Sequence, residues 1–480
     1  MLLGLKEKAT KGVLWNMFEQ FGIQGIKFVL GIMLARLLSP SDFGMIGMIT
    51  VFFDLANVFT DGGLGIAYVQ KPKATEEDAN TVFFTNLALS TVVYIAFWFA
   101  APVISRFYNQ PLLMDIARVM GLVVIINAFG IIQLAQIKRN VDFKRKMKIT
   151  IFATLVSGTA GVLSAIKGLG AWSLVIQQLL NQLLVTICYA ITNKWKPTFK
   201  YSVSSLKSML SVGLWELLSS LVETFFSNIY VLTIGKFFQP AELGYYSRAH
   251  QLQAMVSNQL SGTIGSVAFP VLARLQGDKS SLESAMRKFL QYAFFLTVPS
   301  MALLFVIAKP FTLIFLTAKW LPMVPYLKLL CLAGFLYPMH VVNLQILTAM
   351  GKTRLTFNLA ILKGSLRILN IFITIRWGMI YIICGEVIFS MIALVINTIY
   401  TKRIVQYGLM RQLKDVAYII LGGAISGVIS YFISTSINNA LVSLIIGAFL
   451  TLSIYLLVEL LTNLNLIKSI VGLRTVFFKK

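Results

Sequence analysis

The sequence predicts an all-α polytopic membrane protein with about fourteen transmembrane helices, and three observations predict it. Of its 480 residues, 57% are hydrophobic and only 12% charged, whereas an ordinary soluble domain carries roughly 25% charged residues. Apolar stretches of about 20 residues, enough to cross ~30 Å of hydrocarbon as a helix, recur along the whole chain and hold the mean hydropathy at +0.79. Lys and Arg collect in the short gaps between these stretches, as in a chain threaded repeatedly through a bilayer.

Pro, Gly and charge punctuate the spans. The first follows Lys6, Lys8 and Lys11, and the next five begin near Ser41, Asn80, Pro111, Lys148 and Leu169. Six more begin near Leu206, Ala241, Leu282, Pro322, Thr356 and Gly378, and a last pair near Asp415 and Asn438. Alternate gaps differ about three-fold in Lys and Arg, and the richer set includes both termini, so both termini are expected in the cytoplasm. The net charge of +24 is then topological rather than the footprint of a nucleic-acid binder. No short apolar segment with a small-residue cleavage site opens the chain, so no cleaved signal is expected. Cys188, Cys331 and Cys384 lie within apolar stretches without paired spacing and read as packing residues.

An ungapped repeat runs at an offset of 200 residues. Leu14, Trp15, Pro40, Gly44, Gly62 and Gly65 match Leu214, Trp215, Pro240, Gly244, Gly262 and Gly265, while Arg36 and Asp42 match Lys236 and Glu242 in kind. Most of these identities are Trp, Pro or Gly at helix punctuation, which gives a short repeat its weight. The expected organisation is two parallel six-helix lobes, residues 1–200 and 201–404, followed by two additional helices over 405–480.

Ionisable side chains at membrane depth are costly and normally face a cavity or a partner. Asn16, Glu19, Gln20, Gln24 and Lys27 mark the first span, and Asp54, Asn57 and Asp61 trace one face of the second. Glu216, Ser220, Glu223 and Ser227 do the same in the seventh, Arg248, Gln251, Asn258 and Gly262 in the eighth, and Lys363, Arg367 and Asn370 in the eleventh. The spacing predicts a central aqueous chamber between the repeated halves. Lys27, Arg248, Lys363 and Arg367 suit an anionic cargo such as a pyrophosphate, with Asn16, Gln24, Gln251 and Asn258 as polar contacts; for Lys363 and Arg367 the alternative is snorkelling to the cytoplasmic interface.

Glu19, Asp54, Asp61, Glu216 and Glu223 are candidates for coupling a proton or sodium ion, or else for buried salt bridging, Glu19 with Lys27 among the pairings. Gly62, Gly63 and Gly65, with Gly262, Gly265 and Pro270, read as hinges rather than a phosphate loop, because neither a preceding strand nor a Lys-Ser/Thr ending is present. His250 and His340 are too isolated for a metal site, and no cofactor is expected beyond a coupling ion. No nucleophile with an adjacent base is evident, so no enzymatic activity is expected.

Leu38-Ser39-Pro40-Ser41-Asp42-Phe43-Gly44 and Phe59-Thr60-Asp61-Gly62-Gly63-Leu64-Gly65 resemble the opening of polysaccharide exporters of the MOP flippase superfamily. Gly244-Tyr245-Tyr246-Ser247-Arg248-Ala249 and Val267 to Gln276 resemble its second-half signature, in the branch of the colanic acid, teichuronic acid and O-antigen exporters. The resemblance implies an inner-membrane monomer working by alternating access, with an undecaprenyl-pyrophosphate oligosaccharide as cargo, Arg248 in the cavity wall, and a polysaccharide polymerase and chain-length machinery as partners. The rival readings are an ion-coupled multidrug antiporter of the same fold and a membrane glycan polymerase or ligase. The latter would need a large extracytoplasmic loop, which the sequence lacks.

Overall fold

A computed structural model describes residues 2–61 and 63–464, with some side chains of the helices around Met17, Glu216 and Gly262 outside that description. Every regular element among the described residues is helical. The first unit carries α1 (Leu2–Leu37), α2 (Pro40–Asp61), α3 (Leu64–Gln70), α4 (Glu76–Tyr108), α5 (Leu112–Arg139), α6 (Phe143–Ile166), α7 (Trp172–Thr192), α8 (Val203–Ser227) and α9 (Ile229–Phe237). Then come α10 (Pro240–Arg274), α11 (Lys279–Phe311), α12 (Met323–Phe335), α13 (Tyr337–Ala349), α14 (Thr353–Thr374), α15 (Met379–Val405), α16 (Leu409–Thr435) and α17 (Ala440–Thr462).

Twelve of the described helical segments are long and apolar enough to cross a membrane, α12 and α13 counting as one. The pair α8 and α9, bent by 42° at Asn228, makes a thirteenth. The fourteenth expected span coincides with α10, 35 residues long and marked by polar side chains such as Arg248, Gln251 and Gln253. The protein is a multi-pass membrane protein.

Local chemistry sets the helix starts. Thr75 caps α4 through a capping box with Asp78, and Asp142, Ser202, Asp278 and Asn439 accept hydrogen bonds from first-turn amides of α6, α8, α11 and α17. These side chains satisfy donors that a helix cannot satisfy itself. Between α2 and α3 the backbone turns at Gly63, whose φ of 65° is left-handed, a conformation glycine adopts without a Cβ penalty. Gly62 lies outside the described residues.

By packing, the chain divides into Met1–Gly244 and Tyr245–Lys480. The first unit extends past residue 200 because α8 packs on α2, α3 and α4. One of its cores gathers Leu64, Tyr68, Val82, Phe83 and Ile132, and Gly158 on α6 leaves room for the Leu30 side chain of α1. In the second unit, α16 and α17 pack on α11. Gly423 admits Val298, and Tyr455 donates to the Phe295 carbonyl at 3.0 Å.

Candidate functional site

Polar side chains of the second unit gather on α10, α13, α14 and α15. Tyr246 on α10 donates its hydroxyl to Glu386 Oε2 on α15 at 3.1 Å, and the His250 ring stacks on Tyr246 with centroids 5.8 Å apart. The charges of His250 and Arg367 both act on Glu386. Arg367 lies over the Phe389 ring at 5.0 Å, and with Lys363 it acts electrostatically on His340. His340 bridges α13 to α15 through Ser390 and Asn397, each at 3.1 Å.

Helix geometry places this cluster deep in the spans. Lys363 is the eleventh of the 22 residues of α14, about 15 Å along the helix at 1.5 Å per residue. Arg367 precedes the end of α14 by seven residues, and Glu386 follows the start of α15 by seven, so the two lie at matching depth. The helices approach closely because Asn370 Nδ2 donates to the Gly385 carbonyl at 2.9 Å and any Cβ on Gly385 would strike the Asn370 side chain. Arg248, half-buried, donates to Gln251 Oε1 at 2.5 Å one turn away, while Gln251 and Asn258 are exposed.

The first unit distributes its stripes differently. Glu19 is buried and pairs with Lys146 of α6 at 3.1 Å, with Thr150 donating to it at 3.4 Å. Its cation is therefore Lys146 rather than Lys27, which is exposed, with Gln24 half-buried beside it. The reason is helix packing: α1 lies along α6, so the carboxylate meets a base across the interface rather than along its own helix. Asp54 on α2 accepts from Asn228 Nδ2 at 3.3 Å, which ties the second span to the bend between α8 and α9. Glu223 is exposed. The side chains of Asn16, Asp61 and Glu216 lie outside the described residues.

Beside the Gly63 break is a cavity of about 390 Å³, lined by Val58, Gly63, Gly65, Lys138, Leu217 and Ser220 among others. The repeat-related segment behaves otherwise: α10 passes through positions 262, 265 and 270 as uninterrupted helix, so a break at glycine occurs in one copy of the repeat and not in the other. What surrounds those three positions is outside the described residues. Among the described residues no three His, Cys, Asp or Glu side chains converge as a metal site.

Glu386 and Tyr246 lie outside the polar stripes read from the sequence, and His340 reads there as isolated; for Glu386 an acid within an apolar span is itself a signal. As a set, the cluster supplies cations, one carboxylate and neutral hydrogen-bonding groups, each of which attracts a group of complementary charge more strongly where the dielectric is low.

Comparisons with known proteins agree with this architecture. The chain is 24% identical over 442 residues to the teichuronic acid biosynthesis protein TuaB of Bacillus subtilis, covering 91% of both chains. It is 24% identical over 363 residues to the lipopolysaccharide biosynthesis protein WzxC of Escherichia coli, covering 75% of this chain and 74% of that one. Its fold is similar to that of the lipid II flippase MurJ in an inward closed conformation, with a TM-score of 0.76 at 16% identity over 95% of this chain and all of that one. An inward-facing multidrug transporter of the MATE family gives 0.64 at 17% identity, covering 81% of this chain and 94% of that one. Residues 33–325 match the polysaccharide biosynthesis protein family, and the chain belongs to that family.

Proposed function

We propose that the protein is a flippase, not an enzyme, that moves an undecaprenyl-pyrophosphate-linked oligosaccharide across the bacterial cytoplasmic membrane by alternating access. The observation that carries this reading is the cluster of Lys363, Arg367, Glu386 and His340 at membrane depth in the second unit. Intramembrane charge is retained at a cost and marks a transport path by default. Family membership and the flippase-like fold support the same conclusion.

In this reading Arg248, Lys363, Arg367 and Lys27 hold the pyrophosphate, because Arg and Lys bind phosphate oxygens through charge-assisted hydrogen bonds. Gln24, Gln251 and Asn258 face the sugars, and the polyprenyl tail stays in lipid. Glu386 joins Asp54 and Glu223 as a carriage point for a coupling proton or sodium ion, whereas Glu19, held by Lys146, serves structure. Both termini are cytoplasmic, the repeat-related halves are residues 1–200 and 201–404 with 405–480 appended, and the chain acts as a monomer that hands cargo to a polymerase and chain-length machinery.

Lipid analysis of a deletion strain tests the reading: a lipid-linked repeat unit should be stranded in the cytoplasmic leaflet. Export should return with the wild-type chain and not with Arg248→Ala, with equal amounts of both in the membrane. Absence of a stranded intermediate would refute flipping, and full export by Arg248→Ala would remove that residue from the mechanism.

A further inference from the structure

The first unit holds a second cavity, of about 410 Å³, with a different character. It opens where three connections meet: residues 71–75 before α4, 140–142 after α5 and 193–202 after α7. The Lys and Arg distribution assigns all three connections to the cytoplasmic side.

The walls of this cavity are held in place from behind. Arg139 donates to the carbonyls of Lys71, Pro72 and Tyr68 at 2.7, 2.9 and 3.2 Å and lies over the Tyr68 ring. Asn193 donates to Gln136 Oε1 at 3.0 Å, and the same Asn193 accepts from the Trp195 amide at 3.1 Å. Trp195 packs edge-on to Phe83 with centroids 5.6 Å apart. Arg139, Tyr68 and the Gln136–Asn193 pair are thereby committed to the framework. Half-buried Trp195 is also on the lining, with Glu76, Asn140 and Lys194 exposed around it.

This remaining set has a definite chemistry. A carboxylate, an amide and an ammonium supply acceptors only, both functions, and donors only. Neighbouring hydroxyls, each both donor and acceptor, can satisfy all three at once, while an indole packs against the apolar C–H face of a pyranose. A phosphate-bearing ligand is served less well, because the lining sets one exposed carboxylate, Glu76, beside one exposed cation, Lys194. The volume lies within the range of small-ligand sites, roughly 300–1,000 Å³.

We propose that this cavity is a saccharide-binding site that engages the glycan of the lipid-linked cargo on the cytoplasmic face before it crosses. Trp195 is the stacking platform, and Glu76, Asn140 and Lys194 hold the hydroxyls. The inference rests on the flipping reading for the identity of the glycan, but its test does not depend on flipping. The reactions that supply the ligand are glycosyl transfers onto a polyprenyl carrier, which leave their product in that leaflet.

The test uses the full chain in lipid nanodiscs and oligosaccharides obtained by partial hydrolysis of the host's own exported polysaccharide, titrated calorimetrically. Wild type should bind, Trp195→Ala should bind at least ten-fold more weakly, and Trp195→Phe should recover most of the loss. Because Trp195 also packs on Phe83, the double variant Asn140→Ala/Glu76→Gln provides an independent arm. It alters only exposed side chains and should likewise weaken binding ten-fold with the melting temperature unchanged. No binding by wild type, equal binding by the double variant, or displacement of the sugar by uridine monophosphate or inorganic phosphate would overturn the assignment. Failure of flipping itself would appear separately, as a deletion strain with no stranded lipid-linked intermediate.

Discussion

Gly44 of α2 lies so close to the carbonyl of Pro240 that a Cβ would collide with it, and Gly244 stands in the same relation to the carbonyl of Pro40. These four residues form two of the four Pro and Gly identity pairs of the 200-residue repeat, so each proline carbonyl meets the glycine of the other copy. A backbone carbonyl cannot swing aside as a flexible side chain can, and only glycine fits at either crossing.

Gly44→Ala and Gly244→Ala should therefore each destabilise the protein, by about 1–3 kcal/mol as for other overpacked sites. Gly25→Ala is the control, because nothing lies within 4 Å of its added methyl group. Thermal unfolding in detergent should show both losses, with the control unchanged or slightly stabilised.

The Glu19–Lys146 pair yields a second expectation. Glu19→Ala strands Lys146, a quarter exposed, against a buried site and should cost about 1–3 kcal/mol. The double variant Glu19→Leu/Lys146→Met should recover most of the loss and retain export. Loss of export at full stability would instead give Glu19 a part in transport.

Glu386 gives a third. Glu386→Ala removes the acceptor of the Tyr246 hydroxyl and the carboxylate that faces His250 and Arg367. Polymer export should fall at least ten-fold, and Tyr246→Phe, which keeps the carboxylate, should fall less. Complementation of a deletion strain, normalised to protein in the membrane, reads both; equal export by Glu386→Ala and wild type would exclude Glu386 from the path.

At the start of α11, Asp278 accepts from the hydroxyls and amides of Ser281 and Ser280, which pull its carboxyl down to about 2. A carboxyl depressed on folding stabilises the native state above its unfolded value of 3.8 and loses that contribution as the pH falls through about 2. The advantage of wild type over Asp278→Ala in melting temperature should thus be present at pH 5 and vanish toward pH 2. A constant difference across that range would refute the assignment.

Much of the architecture was legible because a bilayer imposes length and polarity on each span. The expected start near Pro111 meets α5 at Leu112, and the one near Gly378 meets α15 at Met379. Stripes on one helix were legible too, since Lys363 and Arg367 follow the helical period. Pairings across helices were not. Asp54 with Asn228, Glu19 with Lys146 and Glu386 with Tyr246 join residues 174, 127 and 140 positions apart, and periodicity carries no information about which faces meet. Likewise the Trp195 cavity is made by three connections, none of which has a pattern of its own.

The polarity of α10 bears on how the chain is made. A segment with Arg248, His250, Gln251, Gln253 and Asn258 enters lipid at a cost, since an ionised or amide group left unpartnered in hydrocarbon is unfavourable. Part of that cost is met within α10, where Arg248 donates to Gln251 and Gln253 to Ser257, and part by α15, which follows it in synthesis and brings Glu386 to Tyr246. A ribosome-bound intermediate ending soon after Arg274 would accordingly lack the partner of Tyr246, so membrane integration of this stretch should gain from its downstream neighbour α15.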